Sequence, residues 1–281
     1  MKFSLIQAQA IRRCDAIRLA CEWEVRAPKL GNVHPQAPFV DCDYNDFMRA
    51  AIAIAPLLGS EDRSISLGDR ILSAVKATRA VARSNVNLGI ILLLAPLAMA
   101  DDAESVKHCV ESITPDDGQK IFAAIQLATP GGMKRSDVAP QHDVQTTPPE
   151  AVNLHAAMQS AAHRDRIALQ YASGFQDFFS CVLPLMSVEI KGKPDLESAI
   201  VNAQIRLMAE RSDCLIARKC GDEIAAEAQR RAAECLKQNS ASSRAQLDAW
   251  LRADGNRRNP GTTADFLAAA LYWLLYHPSY T

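Results

Sequence analysis

An all-α fold of ten or so helices is the architecture this sequence predicts, and three observations carry the prediction. Apolar residues recur at helical spacing along most of the chain. Alanine is abundant, while aromatic residues make up only 6%. No alternating apolar–polar runs flank hairpin turns. With 281 residues, 48% of them hydrophobic and 22% charged, there is ample chain for a large core. No repeat, low-complexity tract or linker separates two cores, so residues 1–281 are read as a single all-helical domain.

The elements follow in order. Residues 4 to 25 place Ile6, Ala10, Cys14, Ile17 and Cys21 at helical spacing. Pro28, Gly31, Pro35 and Pro38 then break the chain. Asn45 or Asp46 caps the next helix, which ends near Gly59. Further helices are expected at 66–81, 87–100, 103–113 and 116–128. The stretch 129 to 150, rich in Pro, Gly and polar residues, reads as a long loop. Helices resume at 151–161, 163–188, 194–217, 221–238 and 243–253, and the last runs from Thr262 to Tyr276.

The bulk numbers exclude several function classes. A net charge of −1 gives no global field toward nucleic acid or an anionic membrane, so any anion site must be local. The eight cysteines form no C-x-x-C pair and read as small core residues in a reducing cytoplasm. The amphipathic N-terminus carries charge too early for a signal peptide. The longest apolar run, Leu88 to Ala100, is too short to cross a bilayer and contains Pro96. The six histidines show no H-E-x-x-H spacing, and no G-x-S-x-G, P-loop or G-x-G-x-x-G is present.

Four loop-to-helix junctions stand out because polar chemistry there meets an apolar helix. In "EVRAPKLGNVHP", 24 to 35, Lys29 on a rigid turn suits a phosphate, although residue type alone favours a solvated loop lysine. In "FVDCDYNDF", 39 to 47, Asp41, Asp43 and Asp46 crowd together. Carboxylates so close repel unless a cation or a helix N-terminus compensates. Asn45 and Asp46 read as caps; for Asp41 and Asp43 a magnesium site and a structural role stay open. In "ARSNVNLGIILLLAPLAMADD", 82 to 102, Asn85 or Ser84 caps the helix. Asn87 falls in its first turn, and Gly89 permits close approach to the backbone. Together they suggest a polar pocket floor for a ribose or phosphate. In "DGNRRNPGTTADFLAAALYWLL", 254 to 275, Thr262 or Thr263 caps the final helix, Asp265 lies in its first turn, and Arg257 and Arg258 add cations. Arg218 and Lys219, at a helix C-terminus, are favoured there by the dipole alone.

Together these stretches resemble the triphosphoribosyl-dephospho-CoA synthase family, whose members help make the prosthetic group of citrate lyase and malonate decarboxylase. "EVRAPKLGNVHP" is similar to the family's E-V-x-x-P-K-P-G-x-V block, and "VDCDYNDF" to its R-D-M-D-x-x-x-F block. "NVNLGIILLLAPLA" is similar to its N-T-H-K-G block, and "NPGTTADFLAA" to its P-G-G-x-A-D-L-L-A block. The blocks span residues 24 to 269. The resemblance implies an all-helical, magnesium-dependent transferase. ATP gives its 5-triphosphoribosyl group to the 2′-hydroxyl of 3′-dephospho-CoA, and adenine leaves.

By the same resemblance, Asp41 and Asp43 hold Mg2+ and, with Asp265, make the catalytic set. Lys29, Asn85 and Gly89 match the family's lysine and N-x-x-x-G and bind substrate; the reading of the junctions themselves adds Asn87, Arg257 and Arg258 to the substrate-binding set, and Gln170 joins it at the position of the family's glutamate. The implied partners are ATP and a dephospho-CoA-like acceptor, with no nucleic acid and no membrane; a homodimer is left open. The sequence also departs from the family pattern. Leu30 replaces a proline, Val86 to Leu88 replace T-H-K, and Gln170 in "LQYASGF" stands where the G-E-A-x-x-G-F block has a glutamate, with Asp165 and Arg166 just upstream as compensation. These departures resemble a branch found with tetrahydromethanopterin-dependent one-carbon metabolism. They leave two alternatives: a related ribosyl or phosphate transfer in tetrahydromethanopterin or methanofuran synthesis, or a non-catalytic nucleotide-binding homologue.

Overall fold

A computed structural model describes residues 11–128, 153–192 and 195–280. It is all-α, with fourteen α-helices and no strand among the described residues. Parts of the first expected helix and the expected loop at 129 to 150 lie outside the described residues.

The first half forms seven helices: α1 (Arg13–Arg26), α2 (Tyr44–Leu58), α3 (Leu67–Val81), α4 (Leu88–Ala98), α5 (Ala103–Glu111), α6 (Pro115–Ala128) and α7 (Leu154–Ala161). The second half forms α8 (Arg166–Ser173), α9 (Leu183–Gly192), α10 (Leu196–Glu210), α11 (Cys214–Cys220), α12 (Asp222–Gln238), α13 (Ala241–Arg252) and α14 (Gly261–Tyr276). Two long predicted helices are split. Residues 163–188 break after α8, where Gly174 and Phe175 both take positive φ, and a π-helical turn, Phe178–Val182, follows. Residues 194–217 break ahead of α11, because Asp213 caps that helix through Leu215 and Ile216 N–H groups at 2.9 and 3.2 Å.

Helix α14 is the axis of the molecule. Its residues from Phe266 to Leu275 are almost wholly buried, as expected of a helix apolar all round. It packs against α1, α4, α9, α10 and α11. Helix α4 is equally apolar and lies beside it. A second apolar cluster, including Ile205, Ile216, Ala228 and Leu251, joins α10 to α13. Helix α10 serves both clusters: Ile200, Ala203 and Leu207 face the main core, and Val201, Ile205 and Met208 face the other. At about 1.5–3 kcal/mol per buried large aliphatic side chain, these two faces fix α10 strongly.

Pro96 inside α4 cannot donate to the carbonyl of Leu92, four residues back. The buried Tyr171 hydroxyl of α8 donates to that oxygen instead, at 2.8 Å. A proline defect in one helix thereby becomes the docking point of another. Tyr171→Phe leaves the Leu92 carbonyl without a donor. It is expected to cost about 1–2 kcal/mol, read as a lower urea midpoint at unchanged m-value.

Candidate active site

Three of the four junctions singled out in the sequence turn inward to one cavity of about 770 Å³, and the first reaches it through Glu24 and Asn32. Its wall includes Asp41 before α2, Asn85, Asn87 and Gly89 at the start of α4, Asp265 in α14, and Arg257 in the turn before α14. Glu24, Asp165, Arg218 and Lys219 complete its charged lining together with Arg164. Phe122, Ile125, Leu154 and Met158 add apolar groups to the lining.

The chain reaches this geometry through a locked first loop. Gln204 of α10 accepts from Leu30 N–H and donates to the Leu30 carbonyl, both at 2.8 Å, and donates to Asn32 Oδ1 at 2.7 Å. Asp248 accepts from Gly31 N–H at 2.7 Å, and Arg252 donates to the Asn32 carbonyl at 2.7 Å. Gly31 sits at φ +72° with Leu251 against it, a position that excludes a side chain. Asn32 then donates to Asn259 Oδ1 at 2.6 Å, tying the first junction to the last.

Lys29 is not part of the cavity wall. It is 1% exposed, and its Nζ lies 2.8 Å from Glu24 Oε1 while also donating to the Glu24 carbonyl oxygen. Glu24 is the residue that lines the cavity. Burial pushes its carboxyl up, and Lys29 opposes the shift. Lys29 therefore backs a pocket carboxylate; its ammonium is already paired and lies one layer behind the surface a phosphate would touch.

The acidic cluster also divides differently from expectation. The cap of α2 is Asp43, not Asn45 or Asp46. Its Oδ1 accepts from Asn45 and Asp46 N–H at 2.8 and 3.2 Å, and Asp46 Oδ2 accepts from Asp43 N–H at 3.0 Å. This reciprocal pair is a capping box. Asp43 Oδ2 further pairs with Arg83 at 3.0 Å. Burial alone would raise the Asp46 carboxyl, but Arg83 and the backbone N–H groups outweigh it and hold it down to about 2. Of the two aspartates expected to hold magnesium, Asp43 thus already serves the cap with one oxygen and Arg83 with the other. Among the described residues, no three His, Cys, Asp or Glu side chains gather to hold a metal ion. Asp41, exposed, is the carboxylate of the pair that lines the cavity.

At the start of α4, Asn85 accepts from Leu88 N–H at 3.1 Å, as a capping asparagine should. Asn87 occupies the N-cap position itself, one residue earlier than expected, and its Oδ1 takes the Thr78 hydroxyl at 3.0 Å. Both still line the cavity. Gly89 is explained by Asp265: a Cβ built there would lie 2.0 Å from Asp265 Oδ2. The final helix has no side-chain cap of its own. Asp213, from the turn before α11, accepts from Thr263 N–H at 2.7 Å and from its hydroxyl at 2.8 Å. Asp265 begins the second turn of α14, not the first.

Asp265 is the chemically unusual group. No hydrogen-bond donor among the described residues reaches its carboxyl. Burial first, and then the negative charges of Glu24 and Asp213, hold it well above the ordinary carboxylate range, with Arg218 opposing. A carboxyl with a raised affinity for protons, open to a cavity and without a hydrogen-bond donor among the described residues, is a candidate acid–base group.

Two other expected site residues point elsewhere. Gln170 is fully buried. It donates to the Arg166 carbonyl and to Asp177 Oδ2, both at 3.0 Å, and accepts from Phe178 N–H at 3.0 Å. It secures the turn after α8 and does not line the cavity. Arg258 lies 4.4 Å over the Trp250 ring and donates to the Trp250 carbonyl at 3.1 Å. Its neighbour Arg257 alone of that pair reaches the wall. Asp165 caps α8 at 2.9 and 3.1 Å and pairs with Arg218 at 3.0 Å. Arg166, beside it, pairs with Asp177 at 2.8 Å.

Comparison with known proteins now adds to this geometry. Residues 12–279 match the model of the CitG family, described as ATP:dephospho-CoA triphosphoribosyl transferase. The chain belongs to this family. It is accordingly a transferase, and the family resemblance read from the four blocks is shown over nearly its full length. A crystal structure from Archaeoglobus fulgidus, provisionally named a triphosphoribosyl-dephospho-CoA synthase, is similar to it with a TM-score of 0.61 and 24% sequence identity. The match covers 83% of this chain and 98% of that one, and establishes a shared fold. No curated protein matches the chain. No described helix is long and apolar enough to cross a membrane.

The departures of this family member can now be located. The Gln170 substitution falls outside the cavity, so it removes no group from the wall. The Val86 to Leu88 substitution falls inside it: Val86, Asn87 and Leu88 all line the pocket. Where the family block places a lysine, this wall has an apolar side chain.

Proposed function

We propose that the cavity transfers the 5-triphosphoribosyl group of ATP to the 2′-hydroxyl of a 3′-dephospho-CoA-type acceptor and releases adenine. The observation that carries this reading is convergence: Asp41, Asn85, Gly89 and Asp265, from three separate junctions, share one cavity large enough for a nucleotide. The acceptor oxygen forms a bond to C1′ of the ribose as the C1′–N9 bond of adenosine breaks. The electron pair of that bond leaves with adenine, which takes up a proton from water. The hydroxyl proton passes to the Asp265 carboxylate. Because C1′ gains cationic character as adenine departs, the Glu24 carboxylate, whose ionised form Lys29 supports from behind, lowers the barrier.

Asn85 and Asn87 present amides to the ribose or its phosphates, and the apolar α4 anchors both. Magnesium is implied by the family. The donor set fits an ion carried by substrate phosphates and met by one protein carboxylate, Asp41, which is a common arrangement for this cation. There it would neutralise phosphate charge. Asp41→Asn is expected to weaken magnesium-dependent ATP binding about tenfold. Asp43→Ala should instead cost about 1 kcal/mol of stability through the lost cap and leave ATP affinity within about twofold. Calorimetric titration of ATP with and without magnesium, beside thermal melts, separates the two; equal losses of affinity would restore the paired ligand set.

Leu88 in the wall favours a second reading in which the acceptor is a different cofactor precursor, such as an intermediate of tetrahydromethanopterin or methanofuran synthesis. One experiment addresses both. The protein is incubated with ATP, magnesium and either dephospho-CoA or such precursors, and free adenine and the transferred mass are followed by mass spectrometry. Adenine release with dephospho-CoA supports the first reading, release only with the others the second, and none with any acceptor removes both.

A further inference from the structure

Arg218 and Lys219 lie in the last turn of α11, where cations are expected as ordinary dipole compensation. The structure sets them apart, because both line the cavity. Arg257, from the turn before α14, joins them: its Nη2 donates to the Lys219 carbonyl at 2.6 Å. That bond satisfies an exposed carbonyl at the helix end, where the dipole would otherwise repel an anion. It also holds two cation-bearing segments side by side. Arg218 is oriented by its 3.0 Å pair with Asp165, which is itself fixed as the α8 cap. Apart from its bond to the Lys219 carbonyl, Arg257 meets one carboxylate among the described residues, Asp254, at 3.6 Å. The Lys219 ammonium has no hydrogen bond or ion pair among the described residues.

We propose that Arg218, Lys219 and Arg257 form the subsite that takes the polyphosphate chain of the donor nucleotide. This rests on the nucleotide-dependent reading of the cavity given above. The alternative phosphate ligand, Lys29, has its charge spent on Glu24 in the layer behind the wall. The chain carries a net charge of −1, so nothing else in its global field recruits a tri- or tetra-anion. Two fork-shaped guanidiniums and one mobile ammonium match three linked phosphates, with bidentate contacts from the arginines and a point charge from the lysine. The subsite also gives the cavity a direction. Polyphosphate lies toward the end of α11, and the reacting sugar lies toward Asp265 and Gly89.

A dephospho-CoA acceptor also carries a pyrophosphate, which has the same chemistry for these cations. Titration calorimetry on the full chain separates the sources. ATP, inorganic tripolyphosphate and dephospho-CoA are titrated into the wild type, Lys219→Ala, Arg257→Ala, the double variant and Lys237→Ala. Lys237 is an exposed cation outside the cavity and controls for net charge. Each single variant is expected to weaken ATP and tripolyphosphate about 5- to 10-fold and the double variant by more than about 30-fold. Dephospho-CoA and the Lys237 control should change by less than about twofold. Wild-type-like tripolyphosphate affinity in the double variant would overturn the subsite while leaving the nucleotide reading intact. Selective loss of dephospho-CoA would reassign it to the acceptor and overturn it as a donor site. A wild type that binds neither ATP nor tripolyphosphate would bring down both. Circular dichroism and melting temperature verify that Arg257→Ala keeps the fold; should it not, Arg257→Gln takes its place in every comparison.

Discussion

Gly89→Ala is expected to lower kcat/KM by about 100-fold or more while leaving the melting temperature within a few degrees of wild type. In an ordinary helix this substitution is favourable by up to about 1 kcal/mol, since alanine restricts the unfolded chain and favours the helix. Here the new methyl would sit 2.0 Å from Asp265 Oδ2, 2.5 Å from its Cγ and 2.8 Å from Ile167 Cδ1. The two obstacles are side-chain ends, so the backbone of α4 can stay where it is. What gives way is the carboxyl, swung out of the geometry that the active cavity depends on. A displacement of about 1 Å at a reacting group costs on the order of 100-fold in rate. Propensity gain and local crowding offset each other in stability, but nothing offsets the misplaced carboxyl in catalysis. Steady-state rates, thermal melts and ATP affinity together check this. A variant with normal turnover would show that the Gly89–Asp265 approach has no part in the reaction.

How much of this was legible in the sequence follows from the range of the forces involved. Helix identity is set locally, so α2, α3, α4, α12 and α14 lie within about two residues of their expected bounds. The misjudged helices failed for tertiary reasons. The stretch from 163 to 188 is periodic, yet positive φ at Gly174 and Phe175 breaks it, and Gln170 satisfies the N–H groups freed beyond the break. Caps supplied from a distance are equally invisible: Asp213 serves Thr263 across fifty residues of chain.

The candidate site shows the same division. Its junctions could be found because polar residues beside a buried apolar run need a reason to be there. Which polar residue faces the ligand could not, since that depends on partners remote in sequence. Lys29 is taken by Glu24, Asp43 by its own helix and Arg83, and Arg258 by Trp250. Arg218 and Lys219 show the opposite case. Their helix-end position has a sufficient local explanation, and only the packing of α11 against α14 brings them to the cavity.

Asp265→Asn should reduce turnover by about 1,000-fold, in the middle of the range for a lost acid–base group, and at the same time make the protein more stable at neutral pH. The two effects share a cause. The folded state holds the Asp265 carboxyl well above the ordinary range, because burial and the charges of Glu24 and Asp213 oppose its ionisation. An unfolded chain releases that proton near pH 4. Below about pH 4 both states keep the proton and the group is neutral in the stability balance. As pH rises through the folded value, the unfolded state has already gained by ionising while the folded state must bear a buried charge, so wild-type stability declines. Asparagine never ionises. The stability difference between Asp265→Asn and wild type should therefore be near zero at pH 4 and grow to about 1–2 kcal/mol in favour of the variant by pH 8, typical of relieving strain at a functional site. In activity, the wild-type kcat/KM should rise with pH as the carboxyl becomes able to accept the acceptor proton, and the residual rate of the variant should lack that limb. ATP affinity should change little, because the polyphosphate is held elsewhere. A variant that loses activity yet shows the wild-type pH dependence of stability would place the raised proton affinity on another carboxyl and leave Asp265 a merely packed residue.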